Sequence, residues 1–260
     1  MSIIQGTVKG GGGSTGEVYT YPIEDSLRFD GSSYLSRTPS TAGNRKTWTW
    51  SSWVKRGNLG SVGGIFEANH TKDDQTALLF ETADTLLFTD RPLDVRNIDL
   101  RTTQVFRDVG AWCHIVVAVD ITQSTSTNRV KLYVNGSQVT SLSTSSYPSS
   151  STYDTAYWNN TNSHRIGYYQ GNSSNYFNGY LANIQFIDGQ ALDPYFFGKF
   201  KDNIWVPYNA FSTAGSGTAT ASDGDTATDS YRTNGFHLDF ADSSNIGNDV
   251  SGNNNDWTVN

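Results

Sequence analysis

The side chains able to do covalent or proton-transfer chemistry are scattered along this sequence. Asp30, Asp84, Asp120 and Asp188 stand singly beside turn-forming neighbours, where a carboxylate serves the backbone as a turn or strand-end residue. The four histidines, His70, His114, His164 and His237, share no metal-ligand spacing with one another or with Cys113. Cys113 is the one cysteine, so an internal disulfide is excluded. It lies in the apolar run WCHIVVAV with no basic partner to activate it, and it reads as a small buried hydrophobe. His114, in the same run, reads as a packed core or sheet-edge histidine. Acid–base, nucleophilic and zinc chemistry have no constellation to rest on, so no catalytic residue is assigned and a non-enzymatic protein is expected.

Two groupings remain. In NDVSGNNNDW, Asp249, Asn253, Asn255 and Asp256 offer oxygens at a spacing that suits a loop wrapped round calcium, which takes six to eight oxygen ligands. An Asx-rich turn explains the same residues, and no metal or cofactor is assigned. The second grouping is aromatic. Trp53 falls on the polar face of its strand, and Tyr157-Trp158 and Tyr168-Tyr169 sit in polar surroundings. Exposed rings can stack on the apolar faces of a sugar, while planar amides such as Asn159, Asn160 and Asn183 bond its hydroxyls. Ligand-binding candidates are therefore Trp53, Tyr157, Trp158, Tyr168, Tyr169 and Asn183. The same rings would also suit a subunit contact or plain packing, since aromatic residues are enriched in interfaces.

The elements that must position these residues are strands. Of 260 residues, 36% are hydrophobic, 17% charged and 13% aromatic, a composition that suits a β-sandwich with long polar loops. In TWTWSSWVKR, Trp48, Trp50, Ser52 and Val54 share one face and Thr49, Ser51, Trp53 and Lys55 the other. AWCHIVVAVD is nearly all apolar, so both of its faces are expected to be covered. NRVKLYVNGSQV alternates and then reverses at Asn135-Gly136, a dipeptide that supplies the positive φ angles of a tight hairpin. Trp48, Trp50, Trp112, Ile184 and Phe186 alternate as core. Residues 141–163 read as a long polar loop. FSTAGSGTATASDGDTATDS reads as a linker or mobile loop, and a strand-like run resumes near its end. The expected division is an N-terminal arm over 1–25 with four consecutive glycines, a sandwich domain over 26–200, and a C-terminal extension over 201–260. The net charge of −7 without basic runs argues against nucleic acid and anionic membrane surfaces as partners, and no stretch is long and apolar enough to span a bilayer.

In the order SLRFDGSSYL, WTWSSWVKRG, GGIF, AWCHIVVAVD, NRVKLYVNGSQV, HRIGYY and YFNGYLANIQFIDGQALD, the chain resembles laminin-G-like, concanavalin A-like jelly rolls over residues 26–200. The resemblance implies an all-β antiparallel β-sandwich. It also implies a lectin-like role without catalysis, since the Glu-x-Asp-x-x-Glu strand of glycosidases on this architecture does not occur here, and it raises calcium as a ligand, which many members of the group bind. FDGSSYLSRTPSTAGNRKTWTWSSWVKRG, FIDGQALDP, NGFHLDF and SGNNNDWTVN are further similar to repeats in tail, fibre and other virion proteins of aquatic bacteriophages. That likeness implies a homo-oligomer on a virion assembled in the host cytoplasm. It would be held to other virion proteins by the Gly-rich arm, with a host surface glycan as ligand. A free-standing lectin domain and a particle-bracing decoration protein are the alternatives.

Overall fold

The structure, a computed structural model, describes residues 21–71, 73–171, 175–211 and 217–260. In chain order the strands are β1 (Leu27–Asp30), β2 (Leu35–Arg37), β3 (Thr47–Arg56), β4 (Gly63–Thr71), β5 (Asp74–Phe80), β6 (Thr85–Arg91) and β7 (Ile98–Val105). There follow β8 (Cys113–Asp120), β9 (Val130–Val134), β10 (Ser137–Gln138), β11 (Leu142–Ser146), β12 (His164–Ile166), β13 (Tyr168–Tyr169), β14 (Asn175–Tyr176) and β15 (Asn178–Asp188). The last are β16 (Gly198–Lys201), β17 (Ile204–Pro207), β18 (Thr218–Thr220), β19 (Thr226–Thr228), β20 (Phe236–Leu238) and β21 (Thr258–Val259).

Two antiparallel sheets form the sandwich. The first runs β1-β15-β3-β8-β9-β10, with β20 also pairing β15; the second runs β11-β7-β6-β5-β4-β12-β2-β21. Between them lies the main core. Trp48, Trp50, Val54, Ile115, Val117 and Val119 from the first sheet meet Phe66, Leu78, Phe80 and Phe88 from the second. Trp48, Trp50 and Val54 face the core as the alternation in β3 puts them, and β8 is covered on both faces as its apolar run implies, with Val116 and Ala118 packed in a separate cluster on the outer side. The Asn135-Gly136 turn has φ of 48° and 79° and joins β9 to β10 in the expected register. A Cβ at Gly136 would meet the Trp205 ring at 2.4 Å, so this turn also requires glycine for close approach.

The chain beyond residue 200 is no loose appendage. β20 completes the first sheet beside β15, β21 edges the second beside β2, and Phe236, Leu238, Phe240 and Trp257 enter the main core. The segment expected to be a linker forms the β18–β19 hairpin over its described part, with Ala219 and Ala221 buried against Phe197, Phe211 and Tyr231. It covers the outer face of the first sheet. Of the expected arm, residues 1–20 lie outside the described residues. Ile23 is buried beside Trp53 and Trp205, and Tyr21 packs against that group.

Of the stretch 141–163 expected as a long polar loop, Leu142–Ser146 form the edge strand β11 beside β7, and Thr155, Ala156, Trp158 and Asn159 turn inward and are buried. Trp158 is fully buried, 4.4 Å from Phe66, 5.1 Å from Trp48 and 5.3 Å from Phe88 between ring centroids. The Thr155 hydroxyl accepts from Trp48 Nε1 (3.1 Å), and the Tyr153 hydroxyl bonds the buried Asp90 carboxylate. The loop is a plug for the sandwich. Trp158→Ala is expected to lower unfolding free energy by about 3–5 kcal/mol in urea titration at neutral pH, the range for emptying a packed aromatic site.

Candidate functional site

The half-exposed rings gather on the outer face of the second sheet. β12 inserts between β4 and β2, with Arg165 opposite Glu67 and Ser36. Gly167 turns at φ 85°, and Tyr168 and Tyr169 pair with Tyr176 and Asn175 as the β13–β14 hairpin. Residues 172–174 at its tip are outside the described residues. The hairpin crosses β4 at Gly64, where a Cβ would sit 2.3 Å from the Tyr168 and Tyr169 backbone. Only a glycine lets the two layers approach this closely.

On this support Tyr168 meets Tyr34 at 5.1 Å and Tyr176 at 5.0 Å, and Tyr34 meets Tyr176 at 6.2 Å. All three rings are partly open to solvent. The Arg165 guanidinium lies 5.4 Å from the Tyr168 centroid, a cation–π contact that holds one ring in place. Arg165 Nη1 donates to Glu67 Oε1 (2.9 Å) and Asn69 Oδ1 (2.8 Å), and Gln170 N–H donates to Glu67 Oε2 (2.9 Å). Glu67 is fully buried, and burial raises its pKa against the opposing pull of these donors. Asn69 Nδ2 donates to Gln170 Oε1, and Gln75 Nε2 to the Tyr169 hydroxyl (2.7 Å). Tyr169 packs on Ala77, Leu79 and Leu87, and burial raises its phenol pKa. It anchors the hairpin, while Tyr34, Tyr168 and Tyr176 form the open surface.

The other candidates are used up inside the molecule. Trp53 was expected to stand out of its strand, but it is 5% exposed and stacks on His114 at 5.0 Å. The reason is the covering layer: the face of β3 that reads as polar is roofed by Ile23 and Trp205. Trp158 is the core plug already described. Tyr157 is half-buried against the main core with its N–H on Thr76 Oγ1 (3.1 Å). Asn183 is 2% exposed, at φ 47° in the β15 bulge, and its Oδ1 accepts from His237 Nε2 (2.6 Å), Tyr21 Oη (3.3 Å) and Gln185 Nε2 (3.4 Å). Asn159 donates to Asp188 Oδ1 (2.6 Å) and Asn44 O (2.9 Å), and Asn160 to Ala156 O (3.0 Å). The structure therefore keeps Tyr168 and Tyr169 together and separates them from the rest. Tyr34, Tyr176, Arg165, Glu67 and Asn69 were not singled out in the sequence, because they come from three distant segments that meet only through sheet pairing.

The NDVSGNNNDW residues do not fit a cation. Asp249 Oδ1 accepts from the His237 and Ser251 N–H groups (2.8 and 2.9 Å), and Oδ2 from Ser251 Oγ and Asn255 N–H (2.9 and 2.8 Å). Asp256 Oδ1 accepts from Asp249 N–H (2.9 Å). Asn253 and Asn255 donate their amides to the carbonyl of Gly235 (2.9 and 2.8 Å). The oxygens are turned onto N–H and O–H donors, and the loop is an Asx knot that clasps residues 232–237.

Among buried carboxylates, Asp90 carries a pKa pushed up by burial to about 6, a value useful to a general acid. It is sealed in the core beneath Thr76, Tyr153 and Ala156, where no substrate reaches. Among the described residues, no helix is long and apolar enough to cross a membrane, which says nothing of β-barrels.

Solved structures with a similar trace include a SAP-like pentraxin from Limulus polyphemus, 17% identical with a TM-score of 0.46, covering 66% of this chain and 79% of that one. Domains LG4-5 of the mouse laminin alpha1 chain are 16% identical with a TM-score of 0.45, covering 72% and 47%. Tailspike protein 2 of Escherichia coli O157:H7 bacteriophage CAB120 is 10% identical with a TM-score of 0.44, covering 66% and 24%. No curated protein matches the chain. The Laminin_G_3 family, described as the concanavalin A-like lectin/glucanases superfamily, matches residues 29–194, well over half of the chain. With its two-sheet antiparallel sandwich, this chain belongs to that family.

Proposed function

We propose that the protein is a carbohydrate-binding module whose contact surface is the tyrosine face of the second sheet. The observation that carries this reading is the partly exposed trio Tyr34, Tyr168 and Tyr176, with Tyr168 held by Arg165, whose guanidinium is bonded to the buried Glu67 and Asn69. Phenol rings offer an apolar face for sugar C–H groups and a hydroxyl at the rim, and fixing them in advance lowers the ordering cost of binding. Gln170 and Asn175, half-exposed beside the rings, add planar amide groups at the rim. The role is binding and not turnover.

The sequence likeness to phage tail and fibre repeats supports a finer reading. The module belongs to a virion, joins other virion proteins through the segment before residue 26, assembles as a homo-oligomer, and grips a glycan on the host surface. Adsorption of the labelled chain to candidate host cells, before and after periodate oxidation of the cells, tests this. Adsorption abolished by periodate is the expected result. Adsorption indifferent to periodate would instead support a protein contact and a particle-bracing role.

A further inference from the structure

Away from the tyrosine face, a cleft of about 180 Å³ opens where β3, β7 and β9 end and β8 begins, beside the loop 106–112. Its floor holds a buried cation. Arg56 is 5% exposed, with Nη1 donating to Phe106 O (2.7 Å) and lying 3.0 Å from Asp84 Oδ1, and its Cζ is 4.5 Å from the Phe80 centroid. Both polar contacts are made through Nη1. On the rim, Arg107, with a side chain 62% exposed, donates from Nε to Asp84 Oδ2 (3.0 Å). One carboxylate thus holds two guanidinium groups. Asp108, also on the rim, turns its Oδ1 onto Gly110 N–H (2.8 Å). Asp84 remains ionised at any ordinary pH, since the Gly60 N–H and then Arg107 hold its carboxyl down to about 2.

A guanidinium at the floor of a cleft can take a further acceptor from a ligand, and a planar carboxylate is the acceptor its fork fits best. The walls beside the two arginines are apolar: Val54, Val134 and the half-buried Trp112. A ligand that suits both features carries a carboxylate on a ring with C–H faces. The space is smaller than the roughly 300–1,000 Å³ of common ligand pockets, so one residue enters and not a chain. We propose that this cleft binds the carboxylate of a single acidic sugar residue of the hexuronate kind, at a site separate from the tyrosine face.

Trp112 makes the test direct. The other six tryptophans are 8% exposed or less, so quenching of the fluorescence by acrylamide reports mainly on Trp112. D-Glucuronate, titrated at constant ionic strength, is expected to protect the fluorescence and to saturate. Arg107→Gln, a change at an exposed side chain, is expected to raise the concentration required about tenfold or more, as loss of a charged hydrogen bond does. D-Glucose and acetate at the same concentrations are expected to protect little, and Trp112→Phe to lose the signal. Tyr168→Ala/Tyr176→Ala is expected to leave glucuronate protection unchanged, which separates this site from the one above. No protection by glucuronate, equal protection by glucose or by acetate, or an Arg107→Gln titration like that of the parent would each overturn the proposal.

Discussion

A chain cut after Phe200 is expected not to fold, although it retains the whole segment that matches the family. The cut removes Phe236, Leu238, Phe240 and Trp257 from the main core, each 7% exposed or less. At about 1.5–3 kcal/mol for burying a large apolar side chain, these four contribute on the order of 6–12 kcal/mol, comparable to the entire stability of a typical domain, about 5–15 kcal/mol. The cut also unroofs the outer face of the first sheet, where Phe211, Tyr231 and Trp205 cover Val116, Ile187 and Trp53. It leaves Asp188 without the Asn234 N–H. Far-UV circular dichroism and dye binding by fragment 1–200 are the check. An exposed apolar surface and no cooperative melt are expected. A fragment that melts within a few degrees of the full chain would overturn this account of the tail.

Between pH 7 and pH 5 the protein is expected to lose on the order of 4–5 kcal/mol of stability. Three histidines are buried in neutral form. His114 accepts at Nδ1 from Trp205 Nε1 (3.0 Å), so its Nε2 proton faces Ser51 Oγ (2.8 Å). His164 accepts at Nε2 from Asn159 N–H (3.1 Å), so its Nδ1 proton faces Asn162 O (2.8 Å). In both rings a second proton would point at an N–H donor. His237 Nε2 bonds Asn183 Oδ1 (2.6 Å). Burial lowers the three from the ordinary 6.5 to about 3, 4 and 4 respectively, with Arg37 adding to the effect on His164 while Asp239 and Asp249 oppose it on His237. These folded values lie below the unfolded one, so the unfolded chain binds more protons. Stability is therefore full above about pH 6.5 and is lost as pH falls towards the folded values. Each ring accounts for about 2 kcal/mol at pH 5. Asp90 works the other way. Its folded pKa of about 6 lies above the usual 3.8, so acidification relieves a burial penalty and returns about 1 kcal/mol. Urea titrations at the two pH values measure the sum, and His114→Gln is expected to reduce the pH dependence by about 2 kcal/mol, somewhat under half of it. Equal stability at pH 7 and 5 would contradict the assignment of neutral buried rings.

The two-sheet body was legible in the sequence because it rests on period-two alternation. β3, β8 and the β9–β10 hairpin appear where alternation and Asn-Gly put them. What alternation cannot report is what lies over the outward face. Trp53 obeys the pattern and still ends up buried, because its cover comes from Ile23 and Trp205, far away in sequence. Trp158 is buried against its sequence surroundings for a related reason. A loop rich in serine and asparagine looks solvated, but its Thr155 and Tyr153 hydroxyls and Asn159 amide find buried partners that allow the tryptophan to enter the core. The stretch from Phe211 to Ser230 reads as a linker because its apolar residues are sparse, yet Phe211, Ala219 and Ala221 are buried in one cluster. Within the tyrosine face, Tyr168 and Tyr169 were visible as an adjacent pair. Tyr34 and Tyr176 reach them through the pairing of β12 with β2 and of β13 with β14.

The most direct measurement is binding of the intact protein and of Tyr168→Ala/Tyr176→Ala to an array of bacterial and algal glycans. Both rings are partly exposed, so the double variant is expected to keep the fold, with a melting temperature close to that of the parent. Saturable binding of the intact protein to at least one glycan class is expected. The loss expected in the variant is tenfold or more, since each stacked aromatic ring adds about 0.5–1.5 kcal/mol beyond the area it buries. A folded variant that binds the same glycans with the parent's affinity would contradict the tyrosine face as the site.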